Sequence, residues 1–152
     1  KAKKLGMDSK FIKLAGKIND NRQDFIFKNI KKKLLQKKIK LKKILFIGLA
    51  YKKNCDDIRN SPILKIINNL KNLKSKIYCY DPYVKIKKFS FLRKKINLQY
   101  NKLNEKNLKF ADAVIIGTDH DKVDYDFIQK HSKLVFDTRN VYKFSEKNII
   151  KL

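Results

Sequence analysis

Lys52, Lys53 and Arg59 crowd into one short polar stretch, with Asp56 and Asp57 between them and Tyr51 just before. Cations this dense can hold an anion, and neighbouring carboxylates can orient them through charge-assisted hydrogen bonds. An apolar run over 44–49 precedes the cluster and ends in Gly48-Leu49-Ala50. After it, Ser61 reads as a helix N-cap and Pro62 as the first helical residue. The order is strand, loop, helix. In an open α/β sheet, ligands bind just beyond the carboxyl end of such a strand.

The elements that position this loop follow from periodicity. Residues 8–36 read as helical, with Phe11, Leu14, Ala15 and Ile18 as an apolar stripe and Asp8 or Ser9 as the cap. Asn19-Asp20-Asn21 weakens the pattern, so a kink or a second helix through Phe25, Ile26, Ile30 and Leu34 is expected. The stripe needs cover from its own domain, an upstream domain or another subunit. The basic run 37–43 reads as a connector, dividing a helical segment (1–40) from an α/β domain (41–152). Ile63, Ile66, Ile67 and Leu70 give the next helix one apolar face. Further strands are expected at 76–80, near 96–99, at 113–117 and at 133–136, with short helices at 105–110 and 125–130. Strands alternating with helices predict an α/β fold, a Rossmann-like, doubly wound parallel sheet preceded by the helical segment.

With 152 residues, 43% of them hydrophobic, the chain suits one compact domain with an extension. No apolar run has the length of a membrane span and no secretory leader is visible. Lys1 is not an initiator methionine, so a fragment or processed product is expected. Cys55 and Cys79 make neither a metal-ligand spacing nor a disulfide framework, and a reducing cytoplasm is the simplest setting. The net charge of +25 raises the reading of a basic module that grips nucleic acid. Yet only Arg22, Arg59, Arg93 and Arg139 are guanidinium donors, the type that base and phosphate recognition favours. Lys, Asn, Ile, Phe and Tyr abound together and share A/T-rich codons, so genomic base bias is the stronger explanation of the charge.

A dinucleotide fingerprint needs three closely spaced glycines for the backbone to approach a pyrophosphate. The chain has four glycines, Gly6, Gly16, Gly48 and Gly117, and only Gly48 ends the first strand. The backbone cradle is missing. That argues for a nucleotide-type ligand held by side chains, Lys52 first, and against an ordinary NAD site in this domain.

The run Gly48-Leu49-Ala50-Tyr51-Lys52-Lys53-Asn54-Cys55-Asp56-Asp57-Ile58-Arg59-Asn60-Ser61-Pro62 resembles the signature of the C-terminal, UDP-binding domain of the UDP-glucose/GDP-mannose dehydrogenase family. Tyr80-Asp81-Pro82-Tyr83, Thr118-Asp119-His120-Asp121 and Asp137-Thr138-Arg139-Asn140-Val141-Tyr142 follow in the family's order. Phe11 to Asn19 resembles the helical region before that domain, and the wording is most similar to the UDP-N-acetylglucosamine 6-dehydrogenase branch. The resemblance implies a C-terminal fragment of an NAD-dependent enzyme that oxidises the C6 alcohol of a UDP-sugar to a uronic acid for surface polysaccharide. It also implies an N-terminal NAD-binding domain and homodimerisation in the complete enzyme. The family's cysteine nucleophile sits in a Gly-rich motif that this chain lacks. No catalytic residue or metal site is therefore assigned, and the chain alone is expected not to turn over substrate. A decayed remnant remains an alternative.

By the same resemblance Lys52, with Tyr51 beside it, contacts the UDP-sugar, and Arg139 engages it across the cleft. Arg59 reaches the cofactor side and Asp57 orients it. Plainer readings stand beside these. Lys52 is one lysine among many; Arg59 with Asp57 is equally a structural ion pair; Asp81 ends a strand by turning into Pro82. His120 reads as a turn residue, and His131 as exposed and without signal. Arg22-Gln23 and Lys53 replace residues common in the family, and Leu73-Lys74-Ser75 lacks the usual turn glycine.

Overall fold

The computed structural model describes residues 10–39 and 42–152. The expected cap at Asp8 or Ser9, and residues 40 and 41 of the basic connector, lie outside them. Six parallel strands form one sheet in the order β3-β2-β1-β4-β5-β6. They are β1 (Lys43–Ile47), β2 (Lys76–Tyr80), β3 (Leu98–Tyr100), β4 (Ala113–Ile116), β5 (Val135–Asp137) and β6 (Ile149–Lys151). The helices are α1 (Lys10–Gln36), α2 (Ile63–Asn72), α3 (Ser90–Arg93), α4 (Glu105–Phe110) and α5 (Tyr125–His131). This is the expected α/β, doubly wound sheet.

Strand alternation sorts the core into two layers. Ile44 and Phe46 of β1 pack with Ile63, Ile66, Ile67 and Leu70 of α2 on one face. Leu45 and Ile47 pack with Leu108 of α4 and Ile128 of α5 on the other. Both faces are covered, so β1 from Ile44 onward and all of β4 are buried and read as continuous apolar runs. Full burial of a side chain such as Phe46 contributes about 1.5–3 kcal/mol.

Three local expectations are corrected. α1 runs as one helix through Asn19-Asp20-Asn21, with no second helix. Its second half is held by Ile26 and Ile30, which join the α2 layer, and that packing outweighs weak local propensity. Ser61 does not cap α2. Its hydroxyl turns inward and donates to the Ala50 carbonyl at 3.3 Å, so no side chain caps this helix. The edge strand β6 was not anticipated; three residues are too few for a period.

The first half of α1 leaves Leu14 and Ile18 more than half exposed. Lys74 occupies the left-handed region, φ 61°, where the sequence lacks its turn glycine.

Candidate functional site

The sheet order reverses between β1 and β4, and in an open α/β sheet a ligand crevice lies at such a switch point. The strands approach very closely at this point. Gly48 has φ +79°, and a Cβ on it would lie 2.3 Å from the Thr118 carbonyl oxygen. A Cβ on Gly117 would lie 2.5 Å from the Gly48 carbonyl oxygen. The Thr118 hydroxyl donates to Ala50 O at 2.6 Å, fastening the two loops.

A groove of about 730 Å³ lies over this crevice. Tyr51 and Lys52 reach it from the loop after β1, Arg139 from the loop after β5, and Arg22 and Gln23 from α1. Ile63, at the N-terminus of α2, also lines it, and the helix dipole there favours an anion. Among the described residues no Asp or Glu lines it. Three cations on three elements therefore line one space.

Arg139 is aimed by its surroundings. Buried Asp137 takes the Arg139 N–H at 2.9 Å on one carboxylate oxygen and the Tyr142 N–H at 3.0 Å on the other. The Arg139 Nε donates to Gly117 O at 2.6 Å, which leaves the terminal nitrogens for a ligand. Asn140, at φ 61°, makes the turn that this requires.

Of the residues singled out by sequence, Tyr51, Lys52 and Arg139 share the groove, whereas Arg59 is not among the residues lining it. Arg59 forks onto Asp57, with Nε to Oδ1 at 3.0 Å and Nη2 to Oδ2 at 2.9 Å. The side-chain and backbone hydrogen bonds from Arg59 hold the Asp57 carboxyl down at about 2. The Arg59 side chain is 87% exposed, so the pair orients a side chain more than it stabilises the fold.

His120 opens the turn after β4, its carbonyl accepting the Val123 N–H at 3.2 Å, but its side chain points inward. It is fully buried, with Nε2 3.3 Å from Asp81 Oδ2 and Nδ1 accepting the Asn54 N–H at 3.0 Å. Asp81 also takes the N–H groups of Leu49, Tyr83 and Val84. Burial pushes the Asp81 carboxyl up, but the hydrogen bonds from His120 and these amides prevail and hold it below the usual range. His131 is partly buried, 3.7 Å from Glu105 and against the Phe127 ring. Neither cysteine is placed as a nucleophile. Burial pushes the Cys79 thiol far up, and Cys55 donates to Lys52 O at 3.2 Å. Among the described residues no cluster could hold a metal ion.

Sequence reading missed Arg22 and Gln23 as groove residues, since it noted them only as departures from the family's wording. It also missed Asn54. An asparagine in a dense polar loop is a signal for positive φ, here 57°.

Residues 45–144 match the UDP-glucose/GDP-mannose dehydrogenase family, UDP-binding domain. The chain belongs to this family. It is 33% identical over 143 residues to a UDP-N-acetyl-D-mannosamine dehydrogenase of Pyrococcus horikoshii, across 90% of this chain and 31% of that protein. A UDP-N-acetyl-D-glucosamine 6-dehydrogenase of Salmonella typhi is 24% identical over 124 residues, across 79% of this chain and 28% of that protein. The solved structure of a UDP-D-ManNAc dehydrogenase from Pyrococcus horikoshii superposes with a TM-score of 0.72 at 29% identity, covering 99% of this chain and 34% of that one. The chain thus spans about a third of the length of these relatives.

Proposed function

We propose that this chain is the UDP-sugar-binding part of an NAD-dependent nucleotide-sugar dehydrogenase, which oxidises a C6 alcohol to a carboxylate for surface polysaccharide. The carrying observation is the groove at the switch point, lined by Arg22, Lys52 and Arg139 and, among the described residues, by no carboxylate. A diphosphate ester brings the localised negative charge that such a set neutralises, and Arg forks onto phosphate oxygens in a way Lys cannot. Lys52 is assigned to the diphosphate as a point charge, Arg139 to the nucleotide-sugar across the groove, and Tyr51 to the groove wall beside them.

The sugar is proposed as a UDP-N-acetylhexosamine. The wording of the motifs favours N-acetylglucosamine, while the higher identity is to a mannosamine dehydrogenase. The residues present do not fit NAD. The one glycine ending β1 is filled against Thr118 rather than left open as a phosphate cradle. NAD is therefore assigned to a domain outside this chain, with Arg59, oriented by Asp57, turned toward it. The complete enzyme is proposed to be a cytoplasmic homodimer. Among the described residues no helix is long and apolar enough to cross a membrane.

Calorimetric titration of the chain with UDP, with Lys52→Ala as control, tests this reading. One charge-assisted hydrogen bond is worth about 1.5–3 kcal/mol, so the variant should bind UDP about 10- to 100-fold more weakly. Equal heats for the two proteins would remove Lys52 from the site. The chain alone should reduce no NAD.

A further inference from the structure

We infer that His120 is a positioning residue for the loop 51–55, and through it for the Lys52 ammonium in the groove. Three separated pieces of chain meet at this imidazole: the turn after β2, the loop after β4, and the loop after β1. Asp81 is 2% exposed and His120 not at all, so the partnership is shielded from water. The Asn54 N–H needs a lone pair, which places the ring proton on Nε2, facing Asp81. Asp81 is itself fixed by three backbone N–H groups, from Leu49 at 2.6 Å and from Tyr83 and Val84 at 2.8 Å. It therefore holds the ring in one orientation, and the ring holds the Asn54 amide.

The other contacts of this loop are at the surface and weaker. Asn54 Nδ2 donates to Asp121 Oδ2 at 2.6 Å, and its Oδ1 accepts the Asp121 N–H at 3.0 Å. Lys53 pairs with Asp121 at 2.6 Å, both side chains about half exposed or more. Surface pairs of this kind contribute little and are screened by salt. On the near side Tyr51 N–H donates to Asp57 O at 2.7 Å. Lys52 thus sits between two anchors, and the buried one is His120. Fixing a residue costs backbone entropy, so a loop ordered beforehand raises affinity for whatever Lys52 meets.

The inference takes its ligand from the UDP-sugar reading, but the order of the loop is measurable without any ligand. Two substitutions separate the halves of the ring. His120→Asn keeps an acceptor where Nδ1 stands, whereas His120→Gln keeps a donor toward Asp81 and loses that acceptor. Losing one backbone hydrogen bond of roughly 1–1.5 kcal/mol should weaken UDP binding about tenfold in the Gln variant. Amide exchange of residues 53–55 should quicken alongside it. The Asn variant should restore both. Unchanged affinity and protection in the Gln variant, or equal losses in both variants, would overturn the inference. If the unaltered chain binds no UDP, the UDP reading fails, and the exchange comparison alone decides the role of His120. Should the Gln variant not fold, free exchange of the Asn54 amide in the unaltered chain overturns the inference.

Discussion

Gly48 and Thr118 meet with no room for a side chain between them: a Cβ on Gly48 would stand 2.3 Å from the Thr118 carbonyl oxygen and 2.8 Å from its Cβ. The obstruction is largely backbone, which cannot swing aside, and Gly48 is also at φ +79°. Gly48→Ala therefore meets both a clash and a strained dihedral. Overpacking and strain of this kind together cost about 2–4 kcal/mol. Urea unfolding should show that loss, with the midpoint moving down and the slope unchanged.

Lys74 presents the opposite case. It sits at φ 61° behind α2, where its N–H donates to Lys71 O at 2.9 Å. Glycine takes that conformation without the Cβ penalty of roughly 1 kcal/mol, less what it loses through a freer unfolded chain. Lys74→Gly should raise thermal stability by a fraction of a kcal/mol to about 1 kcal/mol. A lower melting temperature would mean that the lysine stem makes up for the strain.

These two positions show what a sequence makes legible. The Leu73-Lys74-Ser75 turn and the Gly48 strand end are local, and both could be read from residue type and neighbours. β1 and β4 announced themselves as continuous apolar runs, and α2 through its regular apolar period. The Asn54–His120 bond joins residues 66 apart, so neither neighbourhood carries its trace. Ser61 offered a cap by type, but the Ala50 carbonyl brought near by the fold claimed its hydroxyl. The same holds for Arg22, which becomes a groove residue only because the fold brings α1 beside the loops that carry Lys52 and Arg139.

Asp81 should dominate the acid limb of stability. Its folded pKa lies below the ordinary value of 3.8, so its charged form stabilises the fold above about pH 4. That contribution is lost as pH falls through the lower folded value. Asp57, Glu105 and Asp121 are also held low, but at exposed sites that add little. Asp81→Asn should lose about 2–3 kcal/mol near neutrality, through weakened hydrogen bonds to a buried charge, and show a flatter decline below pH 4. Urea midpoints across that range measure both effects. An unchanged acid slope would place the sensitivity elsewhere.

Arg59 and Arg139 should separate cleanly in binding. Arg139→Ala should weaken UDP by about tenfold or more, and Arg22→Met by a smaller factor, since each removes a cation from the groove. Arg59→Ala should leave UDP affinity unchanged, because its fork is spent on Asp57 outside the groove lining. A large loss in the Arg59 variant would move the ligand to the other side of the loop.

Salt distinguishes a groove from a charged surface. With +25 net charge the chain will attract polyanions at low ionic strength whatever its function. Nucleic-acid binding releases a counterion for each phosphate neutralised, so contacts to 6–10 phosphates would cost about 10³–10⁵ in affinity between 50 and 200 mM salt. A single diphosphate held by Arg22, Lys52 and Arg139 presents few charges, and its affinity should fall far less over that range. Titrating UDP and a random DNA duplex at both salt concentrations makes the comparison. DNA binding that survives physiological salt, with Lys52→Ala indifferent for UDP, would favour the basic-module reading over the UDP-sugar groove.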